Sequence, residues 1–171
     1  NDVTFASIYN NQGTINVNTG GSLTVNGPTQ IGYSGTVGAM NISAGTVNLN
    51  GDFIIGTSGT VTCSNSPTIN ITGNWTNNKT FTAASSQVNF TGTTAQTIGG
   101  GATTTFNNLK INNAAGISLG INTNVSNILD LTSGLITTGA FTLTSSSTSN
   151  TSIINYNASS YVNGKLARNF T

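Results

Sequence analysis

The chain has 171 residues, of which 35% are hydrophobic and only 4% are charged, and its net charge at neutral pH is +1. Binding of nucleic acid depends on several basic side chains that neutralise phosphates together, and the four here (Lys79, Lys110, Lys165 and Arg168) form no such cluster. No stretch approaches the roughly 18 apolar residues of a membrane-spanning helix, and the regular recurrence of Val, Ile, Leu and Phe is unlike a disordered chain.

A glycine followed by a short alternating strand recurs through residues 13–82. In each copy, two apolar residues are separated by one Asn, Thr or Ser, which predicts a strand with one buried face. Short strands that cannot bury their own apolar face predict a stacked repeat architecture. Phe53–Ile55 breaks the alternation, which we interpret as a strand end or a bulge. The clearest copies are Gly13–Asn18, Gly21–Asn26, Gly45–Asn50 and Gly59–Ser64.

Longer units are predicted in residues 83–171, with loop insertions between them. Gly99–Gly101, together with Ala102 and Thr103–Thr105, is predicted to be a loop insertion, and the polar tract Ser145–Ser152 a turn or a loose excursion from the stack. Helical periodicity is absent here as well, so the predicted class remains all-β. The strand segments are Gln87–Phe90, Phe106–Ile111, Gly116–Ile121, Phe141–Leu143 and Ile153–Ile154.

The fold predicted for residues 1–171 is a single right-handed parallel β-helix, or β-solenoid, that forms a segment of a longer chain. About seven turns of roughly 20 to 25 residues would make a rod about 35 Å long at a strand spacing of about 4.8 Å. Few charges suit such a stack, because identical side chains lie next to one another and Asn or Thr can form hydrogen-bonded ladders. An antiparallel β-sandwich is the alternative, since Asn26-Gly27, Asn50-Gly51 and Asn163-Gly164 could form hairpin turns.

Residues able to perform chemistry are sparse. Asp2, Asp52 and Asp130 are the only acids and are far apart in sequence, whereas glycoside hydrolysis needs two carboxylates within about 10 Å of each other. The single cysteine, Cys63, shares the phase of Val61, which predicts a small buried core residue, and the chain contains no His to activate it. We therefore expect a protein that is not an enzyme, with no metal or cofactor site.

A succession of motifs in the second half carries a family resemblance. It resembles the repeat regions of large secreted surface proteins of Bacteroidota, the gliding and adhesion-type proteins exported by the type IX secretion system. The resemblance covers roughly residues 13–171. The motifs are Ile71–Thr82, Val88–Gly100, Thr104–Asn113, Leu131–Gly139 and Tyr161–Gly164.

The resemblance implies an extracellular, cell-surface location and a structural, stalk or adhesive role. It also implies partners, namely neighbouring repeats of the parent chain and components of the secretion system, and often a C-terminal sorting domain, which these residues do not contain. No catalytic site is carried over. Trp75 and Phe81 are expected to fill the interior, with Phe106, Leu109 and Ile111 as core strand positions.

Three further hypotheses stay open beside the structural one. Tyr9, Tyr33, Tyr156 and Tyr161 could stack on surface glycans, and Thr-x-Thr pairs could form an ice-binding array, although Asn interrupts it in several copies. The chain could also be cargo captured with its secretion machinery, and exposed end strands predict self-association. The Thr-x-Thr pairs are Thr60/Thr62, Thr80/Thr82, Thr103/Thr105 and Thr142/Thr144.

Overall fold

A computed structural model describes residues 2–170 as a parallel β-solenoid of about eight turns, with strands and no helix in that range. Every pairing between its named strands is parallel, and the antiparallel contacts are isolated bridges at Tyr33–Thr36 and Asn157–Ser160. The predicted parallel stack is thus confirmed and the antiparallel sandwich is excluded. No helix in residues 2–170 is long and apolar enough to cross a membrane.

Each turn passes through three faces, and each face is a parallel ladder. The first face contains β1 (Asp2–Phe5), β4 (Ser22–Val25), β7 (Thr46–Leu49), β10 (Thr68–Ile71), β13 (Gln87–Phe90), the second half of β15 (Thr104–Asn112), the second half of β17 (Thr123–Ser133) and β19 (Ile153–Ile154). The second face contains β2 (Ile8–Asn10), β5 (Thr29–Ile31), β8 (Phe53–Ile55), β11 (Trp75–Asn77), β14 (Gln96–Gly99), β16 (Ile117–Leu119) and the starts of β18 (Ile136–Ser145) and β20 (Val162–Arg168). The third face contains β3 (Gly13–Val17), β6 (Gly38–Ile42), β9 (Gly59–Cys63), β12 (Thr80–Thr82), the first halves of β15 and β17 and the ends of β18 and β20.

Most turns of the second half are no longer than those of the first, which corrects the prediction of longer units after residue 83. Side chains that bond across neighbouring turns are 24 positions apart at Asn48 and Thr24, and 19 positions apart at Asn124 and Thr105. What grows in the second half is the strand, because β15, β17 and β18 bend around a corner without ending. The predicted excursion after Ser145 is confirmed, since residues 146–152 contain no strand.

A single hydrophobic core runs along the solenoid inside the three faces. Alternation places every second residue of each strand inward, so the predicted apolar pairs of β4, β7, β9 and β10 are buried. In the predicted pair of β3, Val17 is buried and Ile15 is partly exposed. The predicted bulge in β8 is wrong, because Phe53 and Ile55 point inward and Ile54 outward in a regular strand. Each buried Val, Leu or Ile contributes roughly 1.5–3 kcal/mol.

An aromatic cluster fills the middle of the solenoid, as predicted for Trp75 and Phe81. The Trp75 ring lies 4.9 Å from Phe53, 4.9 Å from Phe81 and 5.2 Å from Phe106. The indole Nε1 donates a hydrogen bond to Thr104 Oγ1 at 3.2 Å, which satisfies its only polar group. In residues 2–170, β12 pairs with β9 and β15 with β17, but β12 and β15 do not pair. Side-chain packing therefore bridges a gap in the third face.

The Gly99–Gly101 segment is a tight corner and not the predicted loop insertion. Gly100 has φ = +122°, and a Cβ atom there would lie 2.0 Å from the carbonyl oxygen of Asn77 in the turn below. Only glycine permits both this φ and this approach of two backbones. The corner directs the chain from β14 on the second face to β15 on the third.

Candidate functional site

The three acids lie in different turns and serve the scaffold. Asp2 is in the first turn, Asp52 precedes β8 in the third, and Asp130 lies on the first face in the seventh. Asp52 accepts hydrogen bonds from the backbone N–H and the Nδ2 of Asn74, at 2.8 and 3.1 Å. Residues 2–170 contain no group of three or more His, Cys, Asp or Glu placed to hold a metal ion. The described acids thus form no acid/base pair.

Register brings together one ion pair that the sequence order conceals. Lys110 and Asp130 occupy neighbouring turns of the first face, with Nζ 3.5 Å from Oδ2. The Lys110 side chain is 36% exposed, so the pair contributes at most about 1 kcal/mol. The same carboxylate accepts hydrogen bonds from Thr132 Oγ1 and Asn155 Nδ2, both at 2.8 Å. Residues 110 and 130 are one turn apart in the sequence, which is a signal that they could be neighbours. The contact could be predicted only with the register of the two strands in hand.

Cys63 lies in the core, as its phase predicted. It is 2% exposed, and burial raises the pKa of its thiol to about 11, although the Ser86 hydroxyl lowers it slightly. A thiol with this pKa is almost entirely protonated at neutral pH and therefore a poor nucleophile.

One outward column of the first face carries a ladder of hydrogen bonds between side chains. Asn48 Nδ2 donates to Thr24 Oγ1 at 3.3 Å, Asn70 Nδ2 to Asn48 Oδ1 at 2.8 Å, and Asn89 Nδ2 to Asn70 Oδ1 at 2.8 Å. These residues are in register in successive turns. Most amide groups in this column are therefore satisfied by one another.

The third face collects the Thr-x-Thr pairs, which are scattered over more than eighty residues of sequence. Thr60/Thr62 is in β9, Thr80/Thr82 forms the two outward positions of β12, and Thr142/Thr144 is at the end of β18. Thr105 of the remaining pair is outward in β15, and Thr103 immediately precedes that strand. Interruption by Asn was predicted in residues 15–18 and 47–50. Asn16 does lie on this face, but Asn48 lies in β7 on the first face. Asn41 and Asn124 are interruptions that the sequence analysis did not identify.

The third face leaves most of its hydroxyl groups without protein partners. Of the described residues 2–170, its two outward columns contain two bonds between side chains, Asn41 to Asn16 at 3.0 Å and Asn124 to Thr105 at 3.4 Å. The Thr hydroxyls of β9 and β12 therefore face solvent. Lys165, in the last turn, is the single charged residue in these columns.

The four tyrosines are exposed but do not form one platform. Tyr9 is in the first turn, Tyr33 leads out of β5 in the second, and Tyr156 and Tyr161 are in the last. The last two line a hollow of about 510 Å³ together with Arg168. This hollow is the open end of the core, because Leu131, Ile153 and Val162 line it as well.

Comparison with known proteins yields no match, whether with protein-family models, with curated proteins or with solved structures.

Proposed function

We propose that this chain is a rigid, non-enzymatic module of a secreted or cell-surface protein, a stalk that displays its outward faces for adhesion. The observation that carries the proposal is the continuous core beneath faces of neutral amides and hydroxyls, with the ionisable groups dispersed among turns. A surface of this kind presents regular, uncharged side chains at fixed spacing.

Rigidity follows from how the turns are joined. Backbone hydrogen bonds link turn to turn along the first face from β1 to β19, and the second face continues the same way from β2 to β20. Local opening would expose the apolar column of the adjacent turns, so each turn is stabilised by its neighbours.

Proteolysis tests the rigid-module proposal. The chain 1–171 should persist as an intact species with proteinase K under native conditions, because cleavage requires a locally opened segment. The thermally unfolded chain is the control and should be degraded at once. Rapid native cleavage inside β7, β10 or β13 would contradict a rigid stack.

Location is tested on cells of the organism that encodes the chain. Antibodies against folded residues 1–171 should label intact, non-permeabilised cells or detect the protein in the medium. Labelling that requires permeabilised cells would contradict a surface role. Stable co-purification with membrane partners would favour secretion cargo over a stalk.

A further inference from the structure

We infer that the third face is an ice-binding surface. On this face the Thr side chains hold a layer of ordered water that is continuous with the lattice of an ice crystal. This deepens the proposed function and rests on it, since it names what one of the displayed faces binds. The face is assembled only by the fold, because no two of its Thr pairs are adjacent in sequence.

The first argument is geometric regularity in two directions. Outward residues two positions apart in a strand are separated by about 6.6–7 Å, and equivalent residues of neighbouring turns by about 4.8 Å. The strand registers place four turns without slip in one block from β3 to β12. The first column of this block is Thr14, Ala39, Thr60 and Thr80, and the second is Asn16, Asn41, Thr62 and Thr82.

The second argument is the contrast in hydrogen bonding with the Asn column of the first face. In that column, Asn48, Asn70 and Asn89 bond to one another from turn to turn. On the third face, the hydroxyls of Thr60, Thr62, Thr80 and Thr82 have no partner within residues 2–170, so their donors and acceptors must be satisfied by water. Thr also places a methyl group beside each hydroxyl and populates few χ1 rotamers. Both groups are therefore held in a fixed position relative to the ice lattice.

The third argument is what these columns lack. From Thr14 to Thr144, their residues include no charged side chain that would bind a disordered hydration shell of its own. They also include no aromatic ring, the platform on which a sugar ring stacks. An ordered water surface therefore fits this face better than a glycan does.

A second block continues the array beyond the gap between β12 and β15. Thr105, Asn124 and Thr144 form one in-register column there, and Thr142 precedes Lys165 in the other. Only β9 and β12 of the in-register block from β3 to β12 have Thr at both outward positions, so these two strands should contribute most of the binding.

The experiment measures thermal hysteresis and inhibition of ice recrystallisation by the chain 1–171. Thr62→Tyr and Thr82→Tyr place bulky rings on the third face. Thr68→Tyr is the matched control, since Thr68 is an outward, partly exposed position of β10 on the first face. Circular dichroism and proteinase K resistance of each variant establish that the solenoid is intact.

Activity in the wild type that is lost in the third-face variants and retained in Thr68→Tyr is the expected result. An intact, protease-resistant rod with no effect on ice would overturn the inference and leave the stalk proposal standing. Equal loss in Thr68→Tyr would overturn the assignment to this face. Binding to crystalline cellulose or chitin without an effect on ice would replace water with a polysaccharide as the ligand.

Discussion

The first and third faces are both built from parallel strands, but their outward side chains differ in what they bond to. On the first face, Asn48, Asn70 and Asn89 form a chain of amide hydrogen bonds, and Lys110 and Asp130 extend the column with an ion pair. On the third face, Thr62 and Thr82 occupy equivalent outward positions without such bonds. A repeat protein can therefore use one polar column to stabilise its stack and another to present groups to solvent.

The two faces also differ in continuity. The first face pairs through every turn from β1 to β19, whereas the third is divided between β12 and β15. The aromatic cluster around Trp75 spans that division. Side-chain packing thus replaces a missing backbone ladder.

The largest effect is expected for Trp75→Ala, which removes the centre of the cluster. The cavity should cost about 3–5 kcal/mol in the free energy of unfolding, measured by chemical denaturation. Hydrogen exchange should accelerate more in β12 and β15 than in β10 and β13. Tyr33→Ala, at a 60% exposed position, should change stability by less than about 0.5 kcal/mol. Uniform loss of protection on both faces would show that the cluster does not specifically support the third.

The next effect is expected for Gly100→Ala at the corner before the second block of the third face. Strain at φ = +122° and the contact with the Asn77 carbonyl should cost about 2 kcal/mol or more. Gly35→Ala separates the two causes, because Gly35 has φ = +83° but nothing within 4 Å of its Cβ position. Equal losses in both variants, measured by denaturation, would mean that the close approach to Asn77 does not matter.

Two substitutions compare the polar columns directly. Asn70→Ala breaks bonds to both Asn48 and Asn89 and should cost about 1 kcal/mol. Thr62→Val removes a hydroxyl with no protein partner, keeps the β-branched shape, and should stay within about 0.5 kcal/mol of wild type. If the Thr62→Val loss in thermal and denaturant unfolding matches that of Asn70→Ala, the contrast between the faces is wrong.

The smallest effect at neutral pH concerns Cys63, beneath the third face. Burial favours the protonated thiol and raises its pKa in the folded chain from the usual 9.0 to about 11. The resulting stability is present below about pH 9 and is lost as the pH rises towards 11. Cys63→Val should lack this component, so the difference between the two proteins in the free energy of unfolding, measured as a function of pH, isolates the contribution of the thiol. A native thiol that reacts rapidly with a disulfide reagent at pH 8 would contradict its burial.

Much of the fold was predictable because its signals are local. Alternation identifies the inward residues of β4, β7, β9 and β10, whereas the interior position of Trp75 was implied by the family resemblance. Phe53–Ile55 was misread because Ile54, an apolar residue, occupies an outward position. Gly99–Gly101 was misread because a glycine run has the same composition in a loose loop and in a corner packed against another turn.

The sequence by itself determined that the chain is all-β, stacked, nearly uncharged and without paired acids, since period-two alternation and composition are properties of short segments. Only the tertiary structure decided which residues share a face. Turns of unequal length change the spacing between equivalent positions, so column membership depends on register, and register is set by how the whole core packs. The register brings four Thr pairs that are distant in sequence onto one surface. It also brings Lys110 next to Asp130.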